Sequence, residues 1–159
     1  MVQALIYILP AYICNSSAAL FGGGKSIDFG KTIRGKRILG KGKTIRGTAS
    51  GIFFGTLTGA LLATFTADFS LIILAFFLSL GAVLGDFAGS FLKRQVGVKS
   101  GQPVPILDQI DFLIGAVCLG MLIKPITLNQ FCFLLIITPA AHLTVNFIGY
   151  LLKLKKVPW

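Results

Sequence analysis

The acids of this chain are few enough to be read one by one: it has no glutamate and five aspartates. Asp86 stands in LGDFAGSFLKR, inside an apolar run, where a charge costs roughly 2.5–3.5 kcal/mol near the centre of a membrane helix and less toward its end. An acid kept there is a functional candidate. On a helix Asp86, Ser90 and Lys93 fall at i, i+4 and i+7 and so line one face. Asp108 and Asp111, in PILDQIDFL, are i and i+3 on the first turn of a following helix. Asp108 alone reads equally well as a helix-capping acid. Capping explains neither Asp111, three residues deeper, nor Asp86 on another helix. Three carboxylates converging at one mouth repel one another unless a cation joins them. Oxygen-only ligands beside a polyphosphate suit Mg²⁺.

The partner implied for that cation lies upstream. Between Gly30 and Gly47 the hexapeptide GKTIRG occurs twice, and this stretch holds seven of the fifteen Lys and Arg. It is not a P-loop: the glycine required five residues before each Gly-Lys-Ser/Thr triplet is replaced by Ala19, Lys25 or Arg37, and no strand precedes any of them. Anchoring the cytoplasmic face is one reading, but the eight basic residues of segment 22–47, interleaved with Gly and Thr, exceed what topology needs. Glycines let backbone N–H groups approach an anion, and Lys and Arg supply its counter-charge. Polyphosphate fits best, and anionic lipid headgroups compete. Nucleic acid is not expected, because the run has no aromatic residues on which bases could stack.

The elements that must carry these groups are membrane helices. The chain is 55% hydrophobic with a mean hydropathy of +0.86 and only 13% charged residues, too few to cover a soluble domain. It is read as one membrane-embedded domain, residues 1–159, an all-α bundle of five transmembrane helices at about 1–21, 48–67, 70–92, 109–123 continued to 128, and 130–152. With five spans, segments 22–47, 93–108 and 153–159 share one side and hold eight, three and three basic residues against Lys124 opposite. These are therefore cytoplasmic loops, with the N-terminus outside and the C-terminus and acids inside. The first segment has no basic start and no small-residue cleavage site, and is expected to stay as a helix. Gly51, Gly55 and Gly59, and then Gly81, Gly85 and Gly89, recur every four residues, a spacing that predicts spans two and three as neighbours. Cys14, Cys118 and Cys132 lie in apolar runs without disulfide or metal spacing. Asn15, Ser16 and Ser17 form a polar patch near the inner end of span one, read either as interhelical hydrogen bonding or, through Asn15, as contact with a nucleotide. His142 and Asn146, one turn apart on span five, read as a structural pair.

Ser90-x-Leu92-Lys93-Arg94, then Lys99, then Asp108-x-x-Asp111, with Gly85-Asp86 upstream, is similar to the signature of phosphatidate cytidylyltransferases. The chain has SGQPVPIL where bacterial and eukaryotic members carry Pro-Gly-His-Gly-Gly. ILPAYICNSSAALFGGG, IDFGK, RILGKGKTIRG and the ending VPW resemble the archaeal branch, the CDP-archaeol synthases, over nearly the whole chain. The resemblance implies transfer of CMP from CTP to an isoprenoid glycerol-ether lipid phosphate, with release of pyrophosphate, in a pocket open to the cytoplasm and the lipid bilayer. It leaves a homodimer open.

On that reading Asp86, Asp108 and Asp111 hold Mg²⁺ and, with Lys93, form the catalytic set. Lys36, Arg37, Lys43, Thr44 and Arg46 are assigned to the triphosphate, Asn15 to the base or ribose, and Ser90 to a phosphate or a metal-bound water. Lys93, Arg94 and Lys99 are assigned to the lipid phosphate or the leaving pyrophosphate, without apportioning them. The alternatives are a CDP-alcohol phosphotransferase, whose Asp-Gly…Ala-Arg…Asp-x-x-x-Asp pattern is absent, and a transporter or channel using the basic loop as an anion vestibule.

Overall fold

The structure is a computed structural model and describes residues 1–102, 104 and 106–153. Pro105 and the Val-Pro-Trp ending lie outside the described residues, as does the side chain of His142, so the pairing expected for it with Asn146 does too.

Five helices follow in order: α1 (Val2–Leu20), α2 (Ile45–Thr66), α3 (Ser70–Gln95), α4 (Leu107–Gly120) and α5 (Leu128–Leu151). Between α1 and α2 the basic run adds the only paired strands among the described residues. They form a two-stranded antiparallel hairpin, β1 (Thr32–Ile33) and β2 (Lys36–Arg37). Its turn places Arg34 and Gly35 at φ of 51° and 76°, a left-handed geometry that glycine adopts without steric cost.

Four of the helices are long and apolar enough to cross a membrane; α4 is not among them. The fourth span expected from sequence is cut short because the chain leaves the helix at Gly120 and turns through residues 121–123. At 1.5 Å per residue α4 is about 21 Å long, against a hydrocarbon core of about 30 Å. Its C-terminal end lies level with Leu78, since a Cβ on Gly120 would meet the Leu78 side chain. From Leu78 back to Ser70, α3 continues for about 12 Å beyond it. A cavity of about 390 Å³ lies at this end, lined in part by Tyr7, Leu71, Leu74, Lys124 and Ile126.

The glycine spacing is explained by where helices touch, with one difference from expectation. On α2, a Cβ at Gly51 would sit 2.8 Å from the Cys14 carbonyl of α1, and one at Gly59 2.6 Å from the Leu71 carbonyl of α3. The α2 stripe therefore packs on both α1 and α3. The α3 stripe faces away from α2: a Cβ at Gly81 or Gly85 would strike the Gly115 or Asp111 carbonyl of α4. Packing of this closeness holds membrane helices together where lipid removes the hydrophobic drive. The core is filled by Ile8, Leu78, Phe112, Leu113 and Leu134. The helix α5 joins through Leu134 and through a 2.7 Å hydrogen bond between Tyr12 and Thr138.

Candidate active site

Helix directions bring four chain segments to one end of the bundle: the end of α1, the start of α2, the end of α3 and the start of α4. The start of α2 is set by Thr44, whose hydroxyl caps the helix by accepting from Gly47 N–H at 3.1 Å. The same oxygen accepts from Gly23 N–H at 3.2 Å, tying the end of α1 to the start of α2. One residue before the cap, Lys43 reaches across to α3 and donates to the Asp86 carboxylate at 2.6 Å. A cavity of about 130 Å³ opens beside this pair, lined by Asn15, Lys43, Thr44, Asp86 and Phe87 among others. Two helices and the polar patch of a third thus share one pocket.

A turn and more further along α3, Lys93 forms an ion pair with Asp108, whose other oxygen accepts from Val104 N–H at 2.8 Å. Lys93 is buried, and Asp108 supplies its counter-charge. Ser90 and Arg94 are buried beside it. Arg94 Nε and Nη1 have no hydrogen-bond partner among the described residues.

Between these two pairs lies Asp111, 8% exposed and facing α3 at Gly89. A Cβ on Gly89 would overlap the Asp111 carboxylate, so only glycine leaves the acid room. One oxygen, Oδ1, accepts from Phe112 N–H at 2.6 Å, while Oδ2 is buried with no hydrogen-bond partner among the described residues. Asp111 lies within electrostatic reach of Asp86, Lys93 and Lys43.

The three acids expected to converge are therefore divided. Asp86 and Asp111 act on each other across α3 and α4, while Asp108 is held by Lys93. Among the described residues no three His, Cys, Asp or Glu stand at metal-ligand spacing. The cations divide as well. Lys36 donates to the Gln95 carbonyl at the end of α3, and Lys99 and Arg46 are exposed. Arg37 is engaged by Asp28, an acid to which the spacing of the sequence gave no role.

Asp28 is buried in the loop and also accepts from the backbone N–H groups of Gly30, Leu39 and Gly40. Burial alone pushes its carboxyl up, but Arg37 and the three N–H groups outweigh this and hold it below the usual carboxylate range. The signal that could have found it is Asp28 two residues before Gly30, the spacing of an Asx turn.

The CarS-like family, described as CDP-archaeol synthase, matches residues 1–159. The chain is 44% identical to the CDP-archaeol synthase of Methanocaldococcus jannaschii, over 98% of this chain and 96% of the relative. It is 46% identical to that of Thermococcus gammatolerans, over 100% and 96%. A solved structure described as an intramembrane enzyme for archaeal membrane lipids biosynthesis superposes with a TM-score of 0.87. That protein is 35% identical, and the match covers 92% of this chain and 94% of the other.

Proposed function

The chain belongs to the CDP-archaeol synthase family, and from that premise we propose that it works at the Lys43–Asp86 cavity. It is a CTP-dependent lipid cytidylyltransferase of archaeal lipid synthesis and a multi-pass membrane protein. This sets aside the transporter reading. The finer proposal is that CMP passes from CTP to 2,3-di-geranylgeranylglycerol 1-phosphate at the cytoplasmic face, with the N-terminus outside. The basic segments 22–47 and 93–108 support that orientation.

In the transfer an oxygen of the lipid phosphate bonds to the α-phosphorus of CTP while the bond from that phosphorus to the bridging oxygen breaks, and pyrophosphate leaves. The attacking oxygen is already ionised at neutral pH, so the protein need not remove a proton. Its task is to bring two anions together and hold them in line.

The site's own charges explain why a metal suits it. Lys43 is matched by Asp86 and Lys93 by Asp108, so these lysines alone leave a triphosphate poorly neutralised. Asp111 Oδ2, buried and without a hydrogen-bond partner among the described residues, together with Asp86, fits a hard divalent cation such as Mg²⁺. Asp86 and Asp111 would hold it, with nucleotide oxygens and waters completing the shell. When bound it supplies charge neutralisation to the phosphates.

At about 130 Å³ the cavity is smaller than the ~300 Å³ of a typical small-molecule site, and suits part of a nucleotide. Lys43 is placed for a phosphate, and Asn15 for the base or ribose. Lys93 and Arg94, whose Nε and Nη1 have no hydrogen-bond partner among the described residues, suit the lipid phosphate or the leaving pyrophosphate.

The observation that carries the proposal is the meeting at one pocket of Asn15 from α1, Asp86 from α3 and Lys43 from the loop just before α2. The test is incubation of purified protein with radiolabelled CTP and the lipid phosphate, with and without Mg²⁺. Lipid labelling and stoichiometric pyrophosphate that both require Mg²⁺ support it. Full activity in Asp86→Asn would remove Asp86 from the site.

A further inference from the structure

The two copies of GKTIRG have opposite fates. The second, 42–47, forms the Lys43–Thr44 start of α2, while the first, 30–35, forms the hairpin turn and places Lys31 and Arg34 in solvent. What separates them is Asp28. Its carboxylate accepts from Gly30 N–H at 3.1 Å, Leu39 N–H at 3.1 Å, Gly40 N–H at 2.9 Å and Arg37 Nε at 3.3 Å, and is ion-paired with Arg37 Nη2. Arg37 Nη2 also donates to Ser26 at 2.9 Å. One buried acid thus gathers both ends of the hairpin.

Its flanking residues carry that order to Lys43. Ile27 N–H donates to the Lys43 carbonyl at 2.8 Å, Ile45 N–H donates to the Lys25 carbonyl at 3.1 Å, and Ser26 is bridged to Thr44. On the other side the gathered loop rests on the end of α3 and the segment after it. Lys41 N–H donates to Ser100 at 3.1 Å, and Gly40 packs over Ser100 and the Arg94 side chain.

We propose that Asp28, which touches neither cavity nor substrate, is a positioning residue that fixes the Lys43 backbone so that its ammonium enters the Asp86 pocket. Asp28 and Arg37 form one clasp; the first repeat is scaffold and the second is working surface. This rests on the reading that the Lys43–Asp86 cavity takes nucleotide phosphate. A residue that merely stabilised the bundle would lower the melting temperature without moving nucleotide affinity in the folded protein.

The test uses the full chain in detergent and compares Asp28→Asn, Arg37→Gln, the double variant and Lys43→Met. Each is assayed for CTP affinity, melting temperature and trypsin cleavage after Lys31, Arg34, Lys36 and Lys41. The expected result is about tenfold weaker CTP binding in Asp28→Asn and in Arg37→Gln, with faster cleavage of the loop. The double variant should be no worse than either single one, as residues of one network are non-additive. Lys43→Met should weaken CTP binding without exposing the loop. Wild-type CTP affinity in both clasp variants, with Lys43→Met weakened, overturns the positioning role alone. Unchanged CTP affinity in Lys43→Met overturns the cavity reading beneath it. Should Asp28→Asn fail to fold, Arg37→Gln decides by the same measurements.

Discussion

Lys43 Nζ lies 2.6 Å from the Asp86 carboxylate, joining the residue just before the α2 cap to an acid inside α3. Neither side chain is fully buried, with 27% and 22% of their surfaces exposed. The pair can exchange partners when a charged substrate arrives, at little cost in desolvation. Asp86→Asn is expected to lower CMP transfer by about 10²–10³-fold, the scale of losing one preorganised electrostatic group. The melting temperature should change by no more than a few degrees. Lipid labelling from radiolabelled CTP, beside a thermal melt in detergent, checks both halves.

Gly89 and Gly59 make a matched comparison. A Cβ at either position meets a neighbouring helix, Asp111 at Gly89 and Ala75 with the Leu71 carbonyl at Gly59. Each alanine substitution is expected to destabilise by about 1–3 kcal/mol through overpacking. Only Gly89→Ala displaces a proposed metal-holding acid, so only it should lose activity after correction for the folded fraction. Equal specific activity in the two variants would argue that Asp111 has no part in turnover.

The Lys93–Asp108 pair predicts coupling. Asp108→Asn leaves the buried Lys93 ammonium without its counter-charge and is expected to cost about 3 kcal/mol. Adding Lys93→Met removes the stranded charge and should restore part of that stability while leaving transfer low. Denaturation of the two single variants and the double variant measures the interaction energy, and strict additivity would count against the pair.

The Asp28 clasp sets a pH dependence. Its carboxyl is held below the ordinary aspartate value of about 3.9. Its stabilisation is therefore fully present above that value and is lost as pH falls through the lower folded value. Protection of the Leu39 and Gly40 amides against hydrogen exchange should accordingly be flat from neutral pH down to about pH 4 and fall only below it. Loss of protection between pH 6 and 5 would contradict the clasp.

Orientation is tested by labelling single cysteines in sealed vesicles. Cys14 is buried, and Cys118 and Cys132 are replaced to clear the background. Lys41→Cys should react with a membrane-impermeant maleimide only from the cytoplasmic side, and Lys124→Cys only from outside. Lys124 and Asp68, 4.0 Å apart at the end of the bundle away from Asp86, are exposed, so their loss should leave transfer unchanged.

Much of the bundle was legible because hydrophobic length and glycine spacing report the packing of long helices directly. The acids of α3 and α4 were legible because a charge in an apolar run has no routine explanation. Two features were not. The extent of α4 was overestimated because residues 121–128 remain largely apolar after the helix has ended, and hydropathy measures composition rather than backbone. The pairing within the basic run was not legible for a related reason. Arg37 and Lys43 look alike by charge and neighbours, and only the fold shows that one is bound to Asp28 and the other to Asp86.

The early end of α4 has a mechanical consequence. At the end that carries Asp86, α3 and α4 are pressed backbone to backbone at Gly81, Gly85 and Gly89, whereas beyond Leu78 a cavity stands where α4 has ended. Strain from a membrane that thickens or thins, a mismatch costing fractions of a kcal/mol per Å, is expected to be taken up in the half with the cavity, where fewer backbones are in contact. The proposed site would then lie in the tightly packed half, away from that strain.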